Sequence, residues 1–435
     1  MKKHKSVLYS IGISAVILTA VATGSLSSSA SEIDTKAVSP ALCVIAEDSE
    51  MAMAGIIGNS IAFEKQDFSR ALNVSKMGDI EITQAPPISA GELRVGSTVI
   101  SSGQTVKAEN LSMLTYTAKN DQATRASFRF RPVECGYDIP CELYFLSEMN
   151  YSPTLDNVPE SFLNVSTHRG ITLYGSLPCH DPDGDITTIE IISYPKEGIL
   201  RLTDKNTGEY TYTPSGSYSG KDSFVYVARD IYGNYSASKT VSLSVVKPTV
   251  SITYADMKGS AAYNAAITMA EAGIMSGTQV GSNTYFYPEG GVSRGEFVVM
   301  VMHAIGMEEV THSQSTIFVD NSDIPEYMRD YIATAYELGY IKGVPTSNGV
   351  AFEANRSITR AEAAVILGNV LDVSAPTSIP VFNDSADIPA WAAASVYSLN
   401  SVGVMNASGG SIRASAELTR GDAAQILANL INYVD

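Results

Sequence analysis

The sequence predicts a multidomain chain, with two all-β sandwich domains followed by an all-α triplet of pseudo-threefold symmetry. Three observations lead there. Before about Val246, short runs alternate apolar and polar residues between turn signals. After Val250 the apolar period becomes that of helices, in alanine-rich sequence. Within this C-terminal stretch a short phrase recurs three times: an aromatic, any residue, an aspartate, then an arginine 36 to 40 residues on. A repeat of this kind means one fold unit packed on copies of itself.

Residues 1–30 read as a signal peptide. Lys2, Lys3 and Lys5 precede an apolar run from Ser6 to Ala22, and Ser28, Ser29 and Ala30 offer the small residues of a cleavage site. No later stretch approaches the ~20 apolar residues of a membrane span. The expectation is an exported chain with no membrane span once the leader is removed. The chain holds 29 basic and 46 acidic residues, a formal net charge of −17. Phosphate binding needs clustered Lys and Arg, so nucleic acid is excluded as a partner.

The first sandwich is expected over residues 31–150 and the second over 151–248. In the second, strands run from Ile199 to Val227 around turns at Asn206–Gly208 and Pro214–Gly216. Leu114, Tyr116, Phe128 and Phe130 stand 96 residues before Tyr210, Tyr212, Phe224 and Tyr226, which suggests two domains of about 100 residues each. The four cysteines, Cys43, Cys135, Cys141 and Cys179, all precede the repeats. Outside the cell they allow three pairings, of which Cys135 with Cys141 closes the shortest loop. Asp181, Asp183 and Asp185 place three carboxylates at alternate positions of a turn, a spacing that suits calcium, with Asp222 or Asp230 as extra ligands. The EF-hand pattern fails, because Ile192 stands at its twelfth position. Aspartate with glycine and proline also makes ordinary turns.

The triplet divides into 249–310, 311–374 and 375–435. Its phrases are Tyr254, Asp256 and Arg294; Phe318, Asp320 and Arg360; Phe382, Asp384 and Arg420. Seven residues after each aspartate stands an aromatic: Tyr263, Tyr327, Trp391. Helices are expected from Ala261, Tyr327 and Trp391 to glycines at 273, 339 and 403, with a second helix after each arginine. Ser293 with Glu296, Thr359 with Glu362, and Thr419 with Asp422 form capping boxes, each worth roughly 1 kcal/mol. The arginine then falls at the first helical position, where the helix dipole disfavours a cation. Three of the six arginines after residue 249 occupy it. Something anionic should compensate, either the repeat aspartate of the same or a neighbouring copy, or a ligand carboxylate or phosphate at the helix N-terminus.

With these phrases and boxes, the segment from about Tyr254 to Asp435 resembles three S-layer homology (SLH) domains, the modules that hold bacterial surface proteins on the cell wall. The resemblance implies grooves between copies that bind a secondary cell-wall polysaccharide, often pyruvylated. It implies that Arg294, Arg360 and Arg420 grip the acid, and that Asp256, Asp320 and Asp384 bond sugar or hold the arginine. Trp391 would stack on a ring, and Gly277 and Gly343 would let backbone approach the sugar. The third copy departs, with Ala407 in the glycine position. The second sandwich, around Gly208 to Asn234, resembles cadherin-like and bacterial immunoglobulin-like modules; the first departs more, at Asn120 to Thr124. No nucleophile or metal frame surrounds the five histidines, so catalysis is not expected. The functional expectation is non-covalent anchoring of an exported surface protein to the bacterial wall, with no cofactor unless calcium. The alternatives are a structural S-layer subunit that self-associates through its sandwiches, and a wall-active hydrolase.

Overall fold

The computed structural model describes residues 50–434 apart from 73, 121, 134–135, 308–309, 311–314 and 377–378. The leader and the expected Cys135–Cys141 bridge therefore lie outside the described residues. The chain divides into two compact units. One holds the described residues through Pro153 with the loops 181–186 and 229–235; the other holds 154–180, 187–228 and 236–434.

The first unit is a sandwich of nine strands: β1 Met51–Ile56, β2 Ile61–Ala62, β3 Ile80–Gln84, β4 Gly91–Val95, β5 Thr98–Val99, β6 Gln104–Val106, β7 Leu114–Ala118, β8 Arg125–Pro132 and β9 Ile139–Leu146. One sheet has the order β1-β9-β8-β3-β6 and the other β2-β7-β4-β5. β1 runs parallel to β9, whereas β9 and β8 are antiparallel. Alternation sets the inner face: in β9 Ile139, Cys141, Leu143 and Phe145 are buried and their neighbours are not. Helix α1, Lys65–Ala71, brings Phe68 edge-on to Phe130 at 5.2 Å. Burial pushes the Cys141 thiol well above its usual value, so it packs as a small apolar group.

The second sandwich follows short helix α2, Glu160–Leu163. Its strands are β10 Asn164–His168, β11 Leu173–Gly175, β12 Thr187–Ser193, β13 Gly198–Asp204, β14 Glu209–Pro214, β15 Gly220–Asp230 and β16 Lys239–Val246. They form sheets β10-β16-β15-β12 and β11-β14-β13. Tyr210, Tyr212, Phe224 and Tyr226 fill the core, as Leu114, Tyr116, Phe128 and Phe130 fill the first. The duplication reaches the neighbours of the tyrosine. A Cβ on Gly91 would strike the Tyr116 ring and Thr117 O, and one on Gly198 the Tyr212 ring and Thr213 O.

The C-terminal segment packs α3 Tyr263–Glu271, α4 Arg294–Ala304, α5 Glu326–Glu337, α6 Arg360–Leu371, α7 Ala393–Ser401 and α8 Arg420–Val434 around one apolar core. Gly273, Gly339 and Gly403 end three helices with φ of 70°, 77° and 77°, a backbone suited to glycine. The all-α expectation is corrected. Hairpins β17 Thr278–Val280 with β18 Asn283–Tyr285, and β19 Val344–Thr346 with β20 Gly349–Ala351, stand between the helices of the first two copies. The third copy has only a Ser408–Ser411 bridge there. Backbone bonds close the three copies into a ring: Val292 N–H to Leu418 O, Leu418 N–H to Ile358 O and Ile358 N–H to Val292 O.

In the same unit a polar knot fastens the second sandwich to the first copy. The Asn264 amide accepts from His168 N–H at 2.9 Å and donates to Ser166 O at 3.1 Å. The His168 ring lies between Asn264 Oδ1 at 2.7 Å and Glu271 Oε2 at 2.9 Å.

Candidate functional site at the junctions between copies

Each repeat aspartate acts on backbone. Asp256 accepts from Phe286 and Tyr287 N–H at 2.9 and 2.7 Å. Asp320 does so from Phe352 and Glu353 at 2.8 and 2.7 Å, and Asp384 from Ile412 and Arg413 at 2.9 and 2.7 Å. The second residue of each pair has positive φ: Tyr287 58°, Glu353 64°, Arg413 53°. Non-glycine residues adopt this left-handed backbone at a cost, which two charge-assisted bonds offset.

Each arginine reaches into the next copy. Arg294 Nη2 donates to Lys342 O at 3.0 Å, Arg360 Nη2 to Asn406 O at 3.3 Å, and Arg420 Nη2 to Ser276 O at 2.9 Å. Those carbonyls immediately precede Gly343, Ala407 and Gly277, so the third copy's arginine closes back on the first. Arg360 and Arg420 also donate Nε to Ile412 O and Phe286 O. Among the described residues none of these arginines pairs with a repeat aspartate; carbonyls of the neighbouring copy take that place. The helix N-termini are similarly engaged. Arg294, Arg360 and Arg420 N–H donate to Arg356, Ala416 and Gly290 O, and the following residues to Ala354, Ala414 and Pro288 O. These donors are taken up between copies, and the capping hydroxyls serve the next N–H.

The glycines have an internal reason too. A Cβ on Gly277 would collide with Tyr254, Thr284 and Tyr285 O, and one on Gly343 with Val350, Phe318 and Ala351 O. Ala407 is tolerated where the hairpin is missing. Among the aromatics, Tyr327 and Trp391 are largely exposed and Tyr263 half-buried.

Charge distinguishes the three junctions. Arg294, 8% exposed, has Glu362 at 3.5 Å, and Arg356 bonds both Glu362 and Glu353. Burial pushes the Glu362 carboxyl up, but Arg356, the Thr359 N–H and Arg294 together hold it below its usual value. Arg360, 4% exposed, shares Asp422 with Arg413, at 3.2 and 3.0 Å. Burial lowers the pKa of both Arg294 and Arg360. Arg420 differs: it is half-buried, lies over the Phe286 ring at 4.8 Å, and has no carboxylate partner among the described residues. Its Nη1 makes no hydrogen bond to them. Beside it, Gly290 lies against both Arg420 and Tyr287, and Tyr287 stacks on Tyr285 at 5.8 Å.

The acidic turn lies in the first unit. Asp181 and Asp185 come together with Asp230, whereas Asp183 turns to accept from Tyr151 N–H at 2.6 Å. Asp222 is not in the cluster; it accepts from Lys196 and Glu197 N–H and from Tyr212 OH.

Comparison with known proteins agrees with this geometry. The S-layer homology domain family matches residues 253–298 and 318–364, and the bacterial Ig domain family matches 153–244. The chain thus carries S-layer homology domains and a bacterial Ig domain. It is 26% identical over 187 residues to an exoglucanase XynX of Acetivibrio thermocellus, covering 42% of this chain and 16% of that one. It is 25% identical over 172 residues to the surface-layer 125 kDa protein of Lysinibacillus sphaericus, covering 39% and 14%. The matches thus span less than a fifth of either relative. Fibronectin(III)-like modules of Clostridium thermocellum CbhA align over 48% of this chain and 96% of theirs at 11% identity, with a TM-score of 0.21, too low to carry an argument. The two matched S-layer homology copies are those with hairpins. The third, with Ala407, lies outside the matched spans. Sequence reasoning missed Arg356, Arg413, Glu362 and Asp422 as junction groups. The signal was present in arginines near an otherwise ordinary capping acid.

Proposed function

We propose that the triplet anchors this surface protein non-covalently to the bacterial cell wall by binding an acidic wall polysaccharide, with the junction between the third and first copies as its acid-binding place. The observation that carries this reading is the Arg420 guanidinium, which faces solvent without a carboxylate beside a stacked tyrosine pair. Arg294 and Arg360 are neutralised and covered; Arg420 keeps a donor for a carboxylate. Tyr285 and Tyr287 offer an apolar face to a sugar ring. A ketal-linked carboxylate such as pyruvate suits that pairing. The reading is of a non-catalytic protein.

The test is sedimentation of the full chain with purified walls, before and after acid removal of the secondary polymer. Binding should vanish on stripping, and Arg420→Gln should weaken it by about tenfold or more, roughly 1.4 kcal/mol. Undiminished binding to stripped walls would sink the polysaccharide reading. The second reading, a lattice subunit, draws on the likeness to a surface-layer protein. It requires the free chain to grow into larger species with concentration in analytical ultracentrifugation.

A further inference from the structure

The second sandwich grips the ring of copies at two places, and the two lie on either side of one junction. On the first copy it holds α3, where Asn264 accepts from His168 N–H and Glu271 Oε2 meets the His168 ring. Tyr174 OH adds a bond to Gly259 O at 3.3 Å. On the third copy, Ser161 Oγ donates to Val402 O at 2.9 Å, just where α7 has ended. Gly409 N–H donates to Glu209 Oε1 at 2.5 Å. Helix α2, which carries Ser161, also packs against α8, the helix that begins at Arg420.

Both grips are close fits. Of the three glycines that end a helix, a Cβ on Gly403 would strike Ser161 Oγ and the Phe162 ring, whereas one on Gly273 or Gly339 would meet nothing. At the first copy, burial pushes the Glu271 carboxyl up, but the Thr249 N–H, the His168 ring and the Thr249 hydroxyl hold it below its usual value. The carboxylate is thus a charged acceptor, which bonds more strongly than a neutral one. It also ties down Thr249, just after the last strand of the sandwich. Helices α3 and α8 pack on each other across the junction of the first and third copies. A domain that holds both sides of that packing resists their separation.

The other two junctions carry ion pairs of their own, Arg294 with Glu362 and Arg360 with Asp422. Arg420 has no carboxylate among the described residues, and its junction is the one the sandwich spans. We propose that the second sandwich is a clamp on the junction between the third and first copies, standing in for the missing ion pair and holding the Arg420 place in its binding shape. The proposal rests on the reading of Arg420 as the acid-binding place. An internal carboxylate would close this junction but occupy the guanidinium. A grip from outside closes it and leaves the guanidinium to a ligand. Asn264, Ser161 and Glu209 are therefore positioning residues, acting through α3 and the third copy. Clamping and ligand binding bear on the same pair of copies, so each strengthens the other by the same factor.

The test uses the full chain and reads the clamp separately from the wall. Backbone hydrogen exchange reports each junction through its own N–H groups: Val292, Arg420 and Gly421 at the clamped one, Arg294 and Gly295, then Arg360 and Ala361, at the others. Releasing both grips with Ser161→Ala, Glu209→Ala and Asn264→Ala should speed exchange of the first set by about tenfold or more, leaving the other two within a few-fold. The same variant should sediment with walls at least about fivefold more weakly, the lower end of ordinary coupling between sites. In an Arg420→Gln background these changes should weaken sedimentation no further. One readout needs no variant: secondary polymer released from the walls should slow exchange of the wild-type His168 and Gly409 N–H groups, which make the clamp's own bonds. Equal acceleration at all three junctions would mean general loosening and would overturn the proposal, as would unchanged exchange at the Arg420 junction. Failure of the wild type to bind walls would instead remove the acid-binding reading, with the exchange pattern still deciding the clamp.

Discussion

At the scale of residues, the junction arginines divide by burial and by partner. Arg360 holds Ile412 O, Asn406 O and Asp422 from a nearly covered position. Alanine there strands two carbonyls and leaves Asp422 with Arg413 as its remaining arginine, so stability should fall by about 3 kcal/mol, the low end for breaking a buried pair. Arg420→Ala loses two carbonyl bonds at a wetter place and should cost about 1–3 kcal/mol, yet weaken wall binding more per unit of stability lost. Calorimetry beside wall sedimentation checks the order; equal effects on both quantities would make the two arginines equivalent. Glu362 adds a pH dependence. Its folded pKa is depressed, so it releases its proton more readily in the native state than in the unfolded chain. Its contribution is complete above the unfolded value, about 4.3, and is lost as pH falls through the lower folded value. Glu362→Gln should therefore lower the melting temperature at pH 7 and converge on wild type in strong acid. A gap that persisted there would assign the loss to packing.

At the scale of elements, local chemistry was legible and partnership was not. The capping boxes could be read from residues three apart, because both partners belong to one turn; Thr359→Ala should cost about 1 kcal/mol. The arginine's partner could not, because Lys342 O and Glu362 belong to the next copy and only the ring brings them near. The hairpins escaped because three-residue strands such as Thr278–Val280 are too short to display alternation. The glycine before each hairpin was read through the family as making room for sugar, while the structure gives it a second task. Gly343→Ala should cost about 1–3 kcal/mol through overpacking against Val350 and Phe318. Ala407→Gly, where no hairpin presses, should cost no more than the general entropic penalty of glycine, about 0.5–1 kcal/mol. Urea unfolding of both variants decides whether hairpin packing is the reason for glycine.

At the scale of the whole molecule, the periods carried the most information. An offset of 96 residues between Tyr116 and Tyr212 pointed to two sandwiches, and the 64-residue step from Asp256 to Asp320 to Asp384 pointed to three copies. A period shows that copies exist; it does not show that the last one returns to the first. That closure rests on Arg420 to Ser276 O, on Val292 to Leu418 O, and on α8 packing against α3 and α4. An open stack of repeats tolerates loss of its last member, because each contacts only its neighbours. A closed ring does not. Removing residues 375–434 uncovers the apolar faces of α3 and α4 and takes away the donors and acceptors that both remaining copies use at their free ends. Calorimetry of a chain ending at 374 should therefore show no cooperative transition for the triplet, and the helical far-UV signal of the first two copies should fall along with that of the third. If those copies still melted together near the wild-type temperature, each junction would be self-sufficient, and Arg420 would be free to serve the ligand alone.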